Sequence, residues 1–320
     1  MTRVHMQTIK GMIMIIDNKL IDRTIIEEIE RFINEELSVN AEVVDVTNKI
    51  TNTVYKKHLA RDKYNGVDTI ISSGVKYAIP YYFYTEKADF THKEGMVIYC
   101  KIYDVTDYDM YDKLWDRLNL GGISNENYIN VTCISVGKKI HKSLFSQILS
   151  HELEHCFQLN KSQKKNNNEL YVKAANIVNG TDKTHNNELF TSCAYCIYAL
   201  SKKEVDANIN GIYNELIGYK EQFKGAKIAN ILKNSTAYNT YNDIVKSSLS
   251  KIMEDINSPE IGGVVSYFGF TLESFSSWVD KQMGYLSSKL RKVAQKLYND
   301  INSDLEIKPD NTLRIKPVIF

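Results

Sequence analysis

The chain has 320 residues, room for one large domain or two modest ones, and 43% of them are hydrophobic, so it can bury a substantial core. Its 40 Lys and Arg against 39 Asp and Glu leave no overall field to draw in nucleic acid or an anionic membrane, and neither is an expected partner. Five cysteines (Cys100, Cys133, Cys156, Cys193 and Cys196) are an odd and sparse set for this length, which argues against a disulfide framework and for a reducing compartment.

In chain order, the first segment, MTRVHMQTIKGMIMIIDNK, holds a short apolar run that Asp17 ends, so it reads as a strand or core segment rather than a signal peptide. No window approaches the roughly 18 consecutive apolar residues of a membrane-spanning helix. Residues 19–38 place Leu20, Ile25, Ile26, Ile29, Phe32, Ile33 and Leu37 at helical spacing, which predicts an amphipathic helix. Strands are predicted at 42–46, 69–72, 76–85, 96–103 and 128–136, with Pro80 pushing the third towards a sheet edge. A short helix is predicted near 108–118, ended by Gly121-Gly122.

After Gly137 the pattern becomes helical. Helices are predicted at 142–160, 168–178, 187–200, 202–219, 224–234, 240–256 and 272–303, separated by polar stretches, by Ser258-Pro259 and by Gly262-Gly263. Cys193 and Cys196 have CxxC spacing but lie in an apolar helical run with no second pair, so they read as packing residues. The stripe from Phe270 through Trp278 and Leu286 to Leu297 reads as core, with an assembly surface as the alternative. The expected fold class is α+β: an N-terminal α+β part over 1–160 with a small sheet, and a mostly helical part over 161–320.

The chemistry concentrates in HELEH, residues 151–155. On a helix of 3.6 residues per turn, His151 and His155 stand about 40° apart on one face and one turn removed, so both imidazoles reach one ion. Glu152 lies beside them, placed to hydrogen-bond a metal-bound water. The surrounding Leu144, Phe145, Ile148, Leu149, Leu153, Cys156 and Phe157 make the helix apolar on most sides, where unpaired His and Glu are costly.

Two ligands do not complete a catalytic zinc site, which takes three protein ligands and a water. The extended form HExxHxxGxxH fails, because Gln158 and Lys161 stand where Gly and His are required. The best downstream segment is IYALSKKEVDANINGIYNEL, in which Glu204 lies in the first turn of a predicted helix and Asn208 one turn later. Ser201-Lys-Lys-Glu204 is also a capping box, which gives Glu204 a purely structural role. Glu188, Asp206 and His185 are rival third ligands.

HELEH followed by IYALSKKEVDAN resembles the zincin-like metallopeptidases of the gluzincin type, in particular compact bacteriophage and bacterial members in which HExxH precedes a YxxSxxExxA segment. The resemblance covers roughly 130–210 and implies a zincin-like fold, one Zn2+ per chain held by His151, His155 and Glu204, and Glu152 as general base. It places Asn208 where many relatives carry an acidic residue behind a ligand. The implied activity is peptide-bond hydrolysis on a peptide or protein substrate, in the cytoplasm, or in a virion if the chain is phage-encoded. The last strands before the active helix, Met96–Tyr103 or Tyr128–Val136, are expected to offer an edge to substrate. The oxyanion donor is not singled out among 21 tyrosines; Tyr213 is the one named here, with a packed helix aromatic as its competing reading. The alternatives are a zincin-fold structural or interaction protein with a vestigial site, such as a virus-particle component, and an α+β protein with no metal role.

Overall fold

The computed structural model describes residues 39–62, 66–72, 74–88, 96–114, 118, 121–124, 128–137, 139–162, 169–185, 187–226 and 228–302. The expected N-terminal strand and the helix at 19–38 lie outside them. The chain divides into two compact units. One, the sheet unit, comprises Val39–Lys164 and Ile209–Tyr219; in the other, the helical unit, the described residues come from Lys165–Asn208 and from Lys220 onward.

The sheet unit begins with helix α1 (Ala41–Ala60), where a strand is predicted at 42–46. Glu-Val-Val-Asp-Val is β-branched and locally ambiguous, but the buried positions Val43, Thr47, Ile50, Thr51, Val54 and His58 repeat at helical spacing. Asn40 starts the helix, its side-chain oxygen accepting from the Glu42 amide. Strands β1 (Gly66–Ser72), β2 (Val75–Ala88), β3 (Met96–Val105), β4 (Gly121–Ser124) and β5 (Tyr128–Val136) form a mixed sheet in the order β1-β2-β3-β5-β4, and β6 (Lys139–Ile140) pairs with β5. Only the β3–β5 pair is parallel among the described strands.

Pro80 sits where the long strand β2 changes partners. β1 pairs with it up to Tyr81, and β3 pairs with it from Tyr81 onward, so at Pro80 the strand is locally an edge although β2 as a whole is internal. Helix α2 (Tyr108–Leu114) covers the described part of the predicted 108–118, and the Leu118 amide donates to the Leu114 carbonyl; Leu114, with Leu118, covers Ile79, Tyr103, Val105 and Ile134 on one face of the sheet.

The other face carries the main core. Tyr84, Ile98, Cys100, Ile102, Ile129 and Val131 meet Val43, Ile50 and Val54 of α1 and Phe145, Leu149 and Leu153 of helix α3 (Lys142–Ser162). Leu149 and Leu153 have no exposed surface, and each such side chain contributes about 1.5–3 kcal/mol by burial. α3 follows β5 after a short link that includes Gly137, in the left-handed region, and the two-residue β6, so β5, next to the edge strand β4, leads into the HELEH helix.

The helical unit contains α4 (Glu169–Val178), α5 (Glu188–Leu200), α7 (Ile228–Lys233), α8 (Thr236–Glu254), α9 (Ile261–Tyr267) and α10 (Leu272–Asn302). Gly262-Gly263, expected as a break, lies inside α9. In α10, Phe275, Val279, Leu286, Leu290, Val293 and Leu297 are buried, as the apolar stripe predicts. Helix α6 (Lys202–Ile217) is continuous; its first seven residues group with the helical unit and Ile209–Ile217 with the sheet unit. No described helix is long and apolar enough to cross a membrane.

Candidate metal centre

His151 and His155 meet as their spacing requires. Their rings stand at 87° with centroids 4.7 Å apart, and the two Nε2 atoms are 3.1 Å apart. The other nitrogen of His155, Nδ1, lies 3.2 Å from Gln158 Oε1. An amide oxygen only accepts, so this contact fixes the proton on Nδ1 and leaves the Nε2 lone pair pointing at the site. Both histidines are half-buried.

Glu152 is buried, and its room is made by a strand. Gly122 on β4 faces it so closely that a Cβ there would meet Glu152 Cγ at 2.3 Å and Oε1 at 2.7 Å. β4 is the last described strand on this side of the sheet, whereas β3 and β5, the strands expected to offer an edge, both have neighbours on each side. The edge beside HELEH therefore belongs to Gly121–Ser124, a four-residue strand too short and Gly-rich to read from sequence.

Glu154, the second x of the motif, is also buried. Its Oε2 accepts from Asn40 Nδ2 at 3.1 Å and Asn210 Nδ2 at 3.3 Å, while Asn210 Oδ1 accepts from the Asn40 amide at 3.1 Å. One carboxylate thus ties α1, α3 and α6 together, which answers the cost of placing a second glutamate in an apolar helix. α6 runs close against α3: a Cβ on Gly211 would lie 3.4 Å from Gln147 and 3.9 Å from His151 Cβ, and Ser150 Oγ donates to the Asn210 carbonyl.

Glu204 is two turns of α6 before Gly211, about 20° off the same helix face. One ligand atom from each of His151, His155 and Glu204 lies within 4.8 Å of the others. Among the described residues, this is the group of His, Cys, Asp and Glu with metal-holding spacing. The spacing of the three residues is one that could hold a metal ion, without being particular to zinc.

The capping box is only half formed. Ser201 Oγ accepts from the Glu204 amide at 3.3 Å, but the Ser201 amide donates to the Tyr198 carbonyl at 3.1 Å. The Glu204 carboxylate, 2% exposed, instead accepts from the Tyr171 hydroxyl at 2.8 Å. The rivals are engaged elsewhere. Glu188 opens α5 with its side chain 76% exposed, 3.4 Å from Lys251. Asp206 accepts from Tyr285 at 2.8 Å and pairs with Lys289 at 2.7 Å. His185 Nδ1 lies 2.8 Å from Asp182, and its ring packs tilted against Tyr267, with centroids 4.2 Å apart. Asn208 donates to the Glu204 backbone carbonyl at 2.9 Å, and Tyr213 is buried.

The five cysteines are free and buried. Burial pushes the Cys156 and Cys193 thiols up to about 12, which favours the neutral thiol near pH 7. A second polar cluster gathers Ser135, His58 and Asp104. Asp104 and Ser135 both face His58 Nε2, at 3.2 and 3.3 Å, while Tyr84 OH faces Nδ1 at 3.3 Å. A nucleophilic triad needs serine and carboxylate on opposite ring nitrogens, so this network is structural. Arg61, 2.9 Å from Asp104, completes it: burial alone would raise the Asp104 pKa, but His58, Ser135 and Arg61 bring it below the ordinary value.

Sequence reasoning did not assign Gln158, Glu154, Gly122 or Tyr171 a role at the site. Gln158 carries a signal in principle, being one turn after His155 on the same helix. No protein-family model, no curated protein and no solved structure matches the chain.

Proposed function

We propose that the chain is a zinc-dependent metallopeptidase of zincin-like design, with His151, His155 and Glu204 as ligands and Glu152 as general base. The observation that carries the reading is the convergence of two imidazole Nε2 atoms and a buried carboxylate, each offering a ligand atom within 4.8 Å, beside a second buried carboxylate on the same helix turn as the histidines. A zinc ion bound there would polarise a substrate carbonyl and acidify a water. Glu152 takes the proton of the attacking water and returns it to the leaving amine, so the carboxylate must be held still between these two transfers. Gly122 lies close beside it, leaving no room there for a larger residue.

A peptide suits the site because an extended chain laid along β4 would run past Glu152, its main chain bonding to the strand edge. Gln158 keeps His155 in the tautomer that presents Nε2.

Elemental analysis of the purified protein together with digestion of a peptide library tests the reading. Wild type should carry close to one zinc per chain and cut a subset of peptides. Glu152→Gln should keep the metal and lose at least about 10²-fold in rate, and His155→Ala should lose the metal. Zinc bound at full occupancy with no peptide cut under any condition would favour the vestigial, structural alternative. Protein that takes up no zinc would remove the site.

A further inference from the structure

We propose that Tyr171, backed by Tyr198, is a positioning residue for the third ligand: from outside the motif it fixes the orientation of the Glu204 carboxylate that a metal ion would meet. The inference rests on the metal-centre reading above. Tyr171 opens the first turn of α4, and its hydroxyl donates to Glu204 Oε1 at 2.8 Å. Tyr198 lies in the last turn of α5; its ring stacks on that of Tyr171, with centroids 5.4 Å apart and planes at 19°. The Tyr198 hydroxyl belongs to the same hydrogen-bonded set with Tyr171 and Glu204.

The physical reason is the burial of the ligand. A carboxylate 2% exposed has lost its water, and its two oxygens are equivalent until something distinguishes them. A hydroxyl donor on Oε1 does so: it satisfies that oxygen and turns the carboxylate plane, directing the remaining lone pairs elsewhere. The donor is itself held. Stacking on Tyr198 sets the ring plane, and Lys203 Nζ lies 5.2 Å from the Tyr171 ring centroid. Tyrosine also suits the charge balance. A hydroxyl donor adds no positive charge beside the carboxylate, whereas an Arg or Lys at the same place would.

Tyr171→Phe removes the hydroxyl and retains the stack and the lysine contact, so the fold should be preserved. Full-length protein stripped of metal is titrated with zinc alone against a competing chelator dye, and its cobalt(II) absorption spectrum is recorded. Wild type should bind one ion, and Glu204→Gln should lose that binding. Tyr171→Phe should keep one ion per chain with affinity weakened about 10- to 100-fold and with altered cobalt bands. Tyr198→Phe should weaken binding by a smaller factor, and it serves as the test if circular dichroism shows Tyr171→Phe unfolded. Zinc affinity within about 2-fold of wild type and an unchanged cobalt spectrum in the folded variants, with Glu204→Gln still defective, would overturn the role of the tyrosines and leave the site standing. Failure of the wild type to bind zinc would overturn both.

Discussion

Gly122→Ala isolates the positioning of Glu152, the proposed general base, without touching any of the proposed metal ligands. The added Cβ would stand 2.3 Å from Glu152 Cγ, 2.8 Å from Cδ and 2.7 Å from Oε1, whereas ordinary contact begins near 3.4 Å. About 1 Å of movement is therefore required, and it falls on Glu152 because the three clashing atoms, Cγ, Cδ and Oε1, all belong to its side chain. Overpacking of this size costs about 1–3 kcal/mol, a fraction of the stability of a folded domain, so the variant should fold and melt only a few degrees lower. The catalytic cost is larger in proportion: a general base displaced by about 1 Å loses on the order of 10²-fold. The assay is steady-state hydrolysis of a peptide cut by wild type, with zinc content measured on the same samples. The loss should appear in kcat, with KM and metal content nearly unchanged. A folded Gly122→Ala protein with wild-type kcat would refute the placement of Glu152 against β4 or its role as base.

Gly211→Ala should behave oppositely: the new Cβ meets Gln147 at 3.4 Å, at ordinary contact, while helix propensity favours Ala by about 0.5–1 kcal/mol, so thermal unfolding should show unchanged or raised stability. A larger side chain there, as in Gly211→Leu, should separate α6 from α3 and lower both stability and zinc content, and a neutral result would count against the close helix approach. Gln158→Ala removes the acceptor from His155 Nδ1 and should weaken zinc binding about 10- to 100-fold by competition titration, with Gln158→Glu recovering most of it. Thr184, His185 and Tyr267 donate to Asp182 and hold its carboxyl far below the ordinary value, so its contribution to stability is complete above about pH 4 and is lost as pH falls through the lowered folded pKa. The melting deficit of Asp182→Asn should accordingly be largest near pH 7 and shrink in strong acid; a deficit independent of pH would mean that charge is not what Asp182 supplies.

What could be read from sequence follows the distance over which each interaction acts. HELEH was legible because both imidazoles and the base sit within two turns of one helix, so their geometry follows from 3.6 residues per turn alone. Gln158 obeys the same arithmetic, but the extended motif takes Gly at its position and gives a side-chain oxygen there no role. Residues 42–46 were misread because a five-residue window rich in valine cannot separate period 2 from period 3.6, and the buried Thr47, Thr51 and His58 that extend the helical pattern do not look apolar. Gly122 and Tyr171 exert their effects across the fold, on side chains far along the chain, and no local pattern announces either. Glu204 is the instructive case, because cap and ligand predict the same letters, Ser-x-x-Glu, and differ only in where one backbone proton goes. The Ser201 amide donates to Tyr198, so the carboxylate is not turned back to close the cap and instead meets Tyr171. A glutamate kept for capping could be replaced by Gln at little cost in any measurement. A glutamate kept for a cation could not, and Glu204→Gln separates the two by zinc affinity alone, without reference to activity.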